Sequence, residues 1–305
     1  MMNWRTEQDG NCSSPIRYIE EGCLIINQDY VNFFDSIGID NFDSIWGLKG
    51  GTIVKNIRQR SVIRITLHDQ DRERIFYLKR HKPEFMCFRR LIGLLFSNRA
   101  FSQGKKEFHN ICDFRKNGLP TVAAVAAGEK RFRHFWFKSF VITEDFSPYI
   151  SLEKILREMP GFFGGPDGDI RKKTMLTDVA TLARKMHQSG FNHLDFNATH
   201  ILLYYEKGSD IPKTALFDLQ RVDRKKLFRF RWVIKSLARL NYTLPADIFT
   251  AADRLDLIKS YKCREDLNVF DRIQWFWIKR KTARIQGHVL KKRLRRQAVK
   301  VETVG

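Results

Sequence analysis

The stretch from residue 193 to 221 constrains this chain more than any other. HILLYY and TALFDL are two short β-rich runs joined by the polar turn EKGSDIPK. One carboxylate, Asp195, lies in the loop before the first run, and a second, Asp218, lies at the end of the other. Upstream, Val179, Leu182, Ala183 and Met186 fall on one face of a predicted helix over residues 178–188, closed by Gly190. The order is therefore helix, acid-bearing loop, hairpin, second acid.

The preceding half reads differently. Between residues 51 and 80, TIVKN, SVIRITL and RIFYLKR are rich in Val and Ile and separated by IRQR and HDQDRE, which predicts a three-stranded antiparallel meander. A mixed apolar and basic stretch follows over 85–101. Residues 105–117 then carry Phe108, Ile111, Cys112 and Arg115 at helical spacing, stopped by Gly118 and Pro120. TVAAVAAGE and FVITEDF predict two more strands, completing five. A helical region opens at 151–158, GFFGGPDGD reads as a loop, and the chain beyond about residue 229 reads as helical with a basic tail. The expected organisation is an N-terminal extension over 1–45 packed on the small lobe, a β-rich N-lobe with one main helix over 46–146, and a larger helical C-lobe over 147–305 ending in a basic helix.

Composition narrows the partners. With 55 Lys and Arg against 34 Asp and Glu, the formal charge is +21, which favours an anionic partner. No zinc, helix-turn-helix or aromatic RNA-binding signature accompanies that charge, so nucleic acid is not expected. Five scattered cysteines without a Cys-x-x-Cys pair argue against a disulfide framework or zinc site and for a reducing cytoplasm. The N-terminus lacks an apolar signal core, and no apolar run is long enough to cross a bilayer, so a soluble or peripheral protein is expected.

The two acids fit phosphoryl transfer, which requires phosphates and metal held in place and an acceptor hydroxyl aligned with the γ-phosphate. Asp195 takes the position that orients the acceptor, Asp218 the position that holds Mg²⁺, and His193 the position that braces the loop. Lys79, on the third strand, can reach the α- and β-phosphates of ATP, and Glu107, on the helix, can hold its ammonium. Taken singly, a strand Lys is more often an exposed charge and a helical Glu more often solvated. His200 stands where kinases have a metal-binding Asn. The turn where a Gly-rich phosphate loop belongs reads NIRQRS; either Arg58 or Arg60 contacts phosphate by side chain, or both are solvated turn residues. Leu194 in place of the usual catalytic-loop Arg argues against control by activation-loop phosphorylation. The ITEDF segment is expected to offer backbone donors and acceptors to adenine near Glu144 and Phe146.

These pieces together resemble the lipopolysaccharide kinase family, the heptose and Kdo (3-deoxy-octulosonate) kinases of the Gram-negative inner core. The likeness runs from about residue 47 to 231 through YLKRH, NGLPT, ITEDF, HLDFNATHILL and FDLQR. It implies an α+β, two-lobed, protein-kinase-like fold, ATP and Mg²⁺, and transfer to a sugar hydroxyl, heptose before Kdo. It carries Lys79, Glu107, Asp195 and Asp218 over as functional positions, with His200 matching a His typical of the family. A lipopolysaccharide core precursor and the anionic inner leaflet are the implied partners, at the cytoplasmic face of the membrane. Basic, apolar-rich segments over 89–99, 223–235 and 279–296 suit such a surface. The competing expectations are another small-molecule phosphotransferase of kinase-like fold and a non-catalytic pseudokinase serving as a binding module.

Overall fold

The computed structural model describes residues 15–69, 72–85, 102–133, 136–224 and 229–302. The chain divides into two compact units, one of residues 1–147 with 218–220, the other of residues 148–217 with 221–305.

The first unit is built on a seven-stranded antiparallel sheet: β1 (Ile16–Ile19), β2 (Leu24–Asn27), β3 (Thr52–Ile57), β4 (Arg60–Asp69), β5 (Arg72–Phe85), β6 (Ala124–Arg133) and β7 (Trp136–Glu144). Their spatial order is β1-β2-β6-β7-β5-β4-β3. Two short helices, α1 (Val31–Ser36) and α2 (Phe42–Trp46), precede the meander, and α3 (Gln103–Lys116) follows it. Alternation along β5 explains the layering, because successive side chains of a strand point to opposite faces. Phe76 and Leu78 are fully buried in a cluster with Phe33, Phe34, Phe42 and Ile45 from α1 and α2. Lys79, one residue on, faces the side of the sheet that carries α3, whose Phe108, Ile111 and Phe114 are fully buried. The predicted five-stranded sheet is thus two strands short. β1 and β2 come from the N-terminal extension, and Leu24, Ile25 and Ile26 pair along β6 through Gly128, Ala127 and Ala126. Each run is only four residues long, too short to announce itself by alternation.

Gly104 allows α3 its close approach to the sheet. A Cβ there would lie 2.2 Å from the Phe140 carbonyl oxygen of β7. Ser102 caps the same helix end, its Oγ accepting from the Lys105 N–H at 3.5 Å.

The second unit is mainly helical: β8 (Ile150–Ser151), α4 (Leu152–Glu158), α5 (Gly165–Gln188), β9 (Phe191–His193), β10 (Ile201–Tyr205), β11 (Pro212–Leu216), β12 (Val222–Arg224), α6 (Arg229–Thr243), α7 (Ala251–Lys262) and α8 (Val269–Glu302). The HILLYY and TALFDL runs form the β10–β11 hairpin, with Ile201 opposite Leu216. Helix α5 starts at Gly165, well ahead of the predicted 178 and inside the glycine-rich segment read as a loop. Pro166 sits in the first turn, where its missing N–H costs nothing, and Asp167 complements the helix dipole there. Among the described residues, no helix is long and apolar enough to cross a membrane. The apolar-basic segment 89–99 lies outside the described residues, as do residues 225–228 of the 223–235 segment.

Candidate active site

In the first unit, Lys79, Glu107, Asp218 and Arg60 come together. Lys79 stands mid-sheet, paired with Val62 on β4 and Val141 on β7, so its backbone is fixed on both sides. Its Nζ donates to Glu107 Oε1 at 2.7 Å, to Glu107 Oε2 at 2.9 Å and to Asp218 Oδ1 at 3.0 Å. The side chains of Lys79, Glu107 and Asp218 are 13%, 2% and 15% exposed, so these are desolvated charges that need one another. Burial alone would lower the Lys79 pKa, but the carboxylates of Glu107 and Asp218 outweigh it and hold the ammonium above its ordinary value. Burial pushes the Glu107 carboxyl up and the Asp218 charge adds to that, against the pull of Lys79.

The Asp218 segment is pinned by side chains from elsewhere in this unit. Asn110 of α3 donates to the Leu219 carbonyl at 2.7 Å, and Gln220 donates to Gln103 at 3.0 Å. Asp218 adopts φ of 55°, a left-handed conformation that a non-glycine residue keeps only where its surroundings impose it. Arg60, at the start of β4, reaches Asp218 Oδ2 at 3.3 Å and Gln220 Oε1 at 3.0 Å. It is therefore part of this cluster, whereas Arg58 stays exposed in the hairpin turn. Each Asp218 oxygen faces one cation.

The ITEDF segment ends β7 and is more committed than its sequence suggests. The Glu144 N–H donates to the Ala123 carbonyl at 3.1 Å and the Asp145 N–H to the Ile75 carbonyl at 2.9 Å, so these two backbone donors serve the sheet. The Glu144 carboxylate accepts from the Tyr30 hydroxyl at 2.7 Å, and the Phe146 ring stacks on Tyr77 with centroids 5.2 Å apart.

In the second unit, Asp195 follows the fully buried His193 of β9. The Asp195 N–H donates to His193 Nδ1 at 3.1 Å, which leaves His193 Nε2 to donate to the Phe217 carbonyl at 3.5 Å. His200 donates from Nδ1 to the Asp195 carbonyl at 2.8 Å, stacks on His193 and meets Phe217 edge-on. The loop around Asp195 is thereby braced from both sides. The Asp195 carboxylate accepts from Arg221 Nη1 at 2.9 Å on both oxygens and from Arg239 Nη1 at 2.5 Å on Oδ1. Sequence reading missed both arginines. Arg221 was visible, as the last residue of the FDLQR motif; Arg239 lies 44 residues from Asp195 and carries no local signal.

Among the described residues, no group of three His, Cys, Asp or Glu side chains could hold a metal ion unaided. Mg²⁺ needs no such cage, because it takes one or two carboxylates and completes its octahedron with substrate phosphates and water. The Asp218 carboxylate fits that role, and the Lys79 ammonium beside it fits a phosphate oxygen.

Comparison with known proteins follows the same line. Residues 52–261 match the lipopolysaccharide kinase (Kdo/WaaP) family model. The lipopolysaccharide core heptose(I) kinase WaaP of Escherichia coli strain K12 is 31% identical over 210 residues, covering 68% of this chain and 75% of that protein. The enzyme of the same name from Pseudomonas aeruginosa is 28% identical over 159 residues, covering 52% and 58%. A solved structure of WaaP in complex with acyl carrier protein aligns with a TM-score of 0.63 at 22% identity, covering 86% of this chain and 98% of that one, and so shares its fold.

Proposed function

The chain belongs to the lipopolysaccharide kinase (Kdo/WaaP) family, and on that premise we propose that it moves the γ-phosphate of ATP to a heptose hydroxyl of the lipopolysaccharide inner core. It is a kinase; the nucleotide, the metal, the acceptor sugar and the residue roles are the proposal. The observation that carries it is the buried Lys79, held between Glu107 and Asp218 at 2.7–3.0 Å. An exposed surface lysine gains little from such pairs. A desolvated one fixed between two carboxylates is a preset cation, poised to exchange part of its pairing for phosphate oxygens.

On this reading Lys79 binds nucleotide phosphates, Glu107 fixes its direction, and Asp218 supplies a carboxylate to Mg²⁺. Bound Mg²⁺ would neutralise charge developing on the transferring group. Asp195 accepts the proton of the attacking hydroxyl, with its loop held by His193 and His200. Arg60 orients the Asp218 carboxylate and stands next to the phosphates. Arg58, exposed at the turn, remains a candidate phosphate contact from its end of the hairpin, and Glu144 and Phe146 border the adenine site. His200 donates from Nδ1 to the Asp195 carbonyl, which fixes its ring beside this loop, and on this reading it keeps the metal-side position. A pseudokinase module would have no need of this set of charges.

We assign the work to the inner leaflet, with the protein held peripherally. Helix α8 exposes Phe270, Phe276 and Trp277 near Lys279 and Arg280, a pairing of aromatic and basic side chains suited to an anionic interface. Incubating the protein with ATP, Mg²⁺ and defined core acceptors, then locating the phosphate by mass spectrometry, tests the proposal. Phosphate on heptose is expected. Phosphate on Kdo alone, or none on any core sugar, overturns the acceptor assignment.

A further inference from the structure

The environment of Asp195 holds more positive charge than one carboxylate requires. Arg221 spans both of its oxygens, Arg239 adds a further bond, and the two arginine side chains remain 56% and 40% exposed. A carboxylate needs one cation for charge balance; the second leaves a positive excess beside the group that meets the acceptor. Each guanidinium has five N–H donors in a planar fork, and each touches Asp195 through a single nitrogen.

The excess continues along α6. Arg231, Lys235 and Arg239 recur every four residues and so share one face of the helix, about 6 Å apart per step. Helix α8 adds Lys281. The neighbouring Thr282 donates to the Ile278 carbonyl of its own helix at 2.9 Å and accepts from Asn241 at 3.0 Å, which fixes that turn of α8 against the turn that carries Arg239. The crowding leaves an electrostatic trace: burial first, then the like charges of Arg231, Lys281 and Arg239, lowers the Lys235 pKa, with Asp223 acting against them. Lys235 Nζ also lies 4.1 Å from the centroid of the Trp232 ring, which keeps the ammonium on this face. Like charges at i and i+4 disfavour a helix, so a row of them is a standing cost that an anionic ligand relieves.

We propose that Arg221, Arg239, Lys235, Arg231 and Lys281 form a cationic track that seats the anionic substituents of the acceptor glycan, its phosphates and sugar-acid carboxylates, beside the hydroxyl that Asp195 orients. The proposal rests on the reading of Asp195 given above. The even spacing suits several anions distributed along an oligosaccharide better than one compact ion. The track therefore sets which acceptors bind, while Asp195 sets what happens to them. Lys235 and Arg231 do not touch Asp195, which separates acceptor recognition from mere orientation of that carboxylate.

The test uses the full chain with saturating ATP and two soluble probes: a deacylated core oligosaccharide with its phosphates and carboxylates, and the same glycan with its phosphates removed and carboxyls reduced. Lys235→Gln and Arg231→Gln are each expected to raise KM for the charged glycan roughly tenfold, the loss of one charge-assisted contact at a half-exposed site, with little change in kcat. Lys235→Arg and Arg231→Lys should restore KM, and on the neutral glycan all variants should match the wild type. Equal KM shifts on both glycans, or none on the charged one, overturn the proposal. Flotation with anionic phospholipid vesicles is the second arm: loss of vesicle binding with KM for the soluble charged glycan intact would assign the row to lipid headgroups and also overturn it. Should the wild type phosphorylate neither glycan, the functional reading fails separately, and calorimetry with the charged glycan still decides. Weaker binding by the two Gln variants supports the track, and unchanged binding refutes it.

Discussion

Replacing Lys79 by Met would strand Glu107, and the cost can be worked from the geometry. Glu107 is 2% exposed and its two oxygens share the Lys79 ammonium at 2.7 and 2.9 Å. The desolvation of Lys79 offsets most of what its own pairs contribute, so the net loss is set by the carboxylate left behind. Without Lys79, burial drives Glu107 to take up a proton. In the unfolded chain its pKa is about 4.3, and each pH unit above that adds about 1.4 kcal/mol to the cost of the neutral form, giving about 3.7 kcal/mol at pH 7 and about 1 kcal/mol at pH 5. The direction follows from the folded pKa of the variant lying above the unfolded one. Stability is fullest below about pH 4.3 and is lost as pH rises through the folded value. Urea denaturation at the two pH values, followed by far-UV circular dichroism, reads both numbers. Lys79→Met/Glu107→Leu should recover most of the loss, because an apolar pair of similar volume can replace a buried ion pair. A loss below about 1 kcal/mol at pH 7, an equal loss at both pH values, or a double variant no better than the single one would refute the reasoning.

Three further outcomes are expected. His81 and His187 are held down at about 3, by burial first and then by Lys79 and Arg60 around the one and by Arg229 beside the other. Both are depressed bases, so their contribution is present above about pH 6.5 and is lost as pH falls toward 3, with a combined slope of up to about 2.7 kcal/mol per pH unit that acid titration would show and His81→Phe would reduce. Gly104→Ala pushes a methyl into the Phe140 carbonyl, so it should cost about 1–3 kcal/mol in urea titration and also raise the KM for ATP by displacing Glu107 one turn along the helix; an unchanged KM would separate the two effects. Arg60→Gln should weaken Mg²⁺-dependent ATP binding more than Arg58→Gln in parallel calorimetry, since Arg60 holds Asp218 and Arg58 lies exposed at the turn.

What the sequence revealed and what it hid follow from the range of the interactions. Lys79 and Asp218 could be read because each sits in a run whose alternation or turn chemistry is local, and Glu107 because it lies on a periodic helix. Arg60 could not be told from a solvated turn residue, since its partners Asp218 and Gln220 are 158 and 160 residues away. The pairing of Arg239 with Asp195 depends on how α6 packs, which no window of sequence contains. β1 and β2 were hidden by their shortness; β2 gains its place by pairing with β6, and β1 by pairing with β2. The start of α5 was hidden because Gly, Pro and Asp favour turns and first helical turns alike. The ITEDF donors illustrate the reverse. Their position as a connector was legible, but the commitment of the Glu144 and Asp145 N–H groups to Ala123 and Ile75 was not.

The most direct test of the account is phosphate transfer by Asp195→Asn to a heptose-bearing core acceptor, with ATP affinity measured on the same preparation. If Asp195 accepts the hydroxyl proton as proposed, its loss should lower kcat by about 10²–10⁴-fold while ATP affinity stays within about twofold of wild type. Transfer at the wild-type rate by this variant would contradict the assignment of Asp195 and, with it, the mechanism.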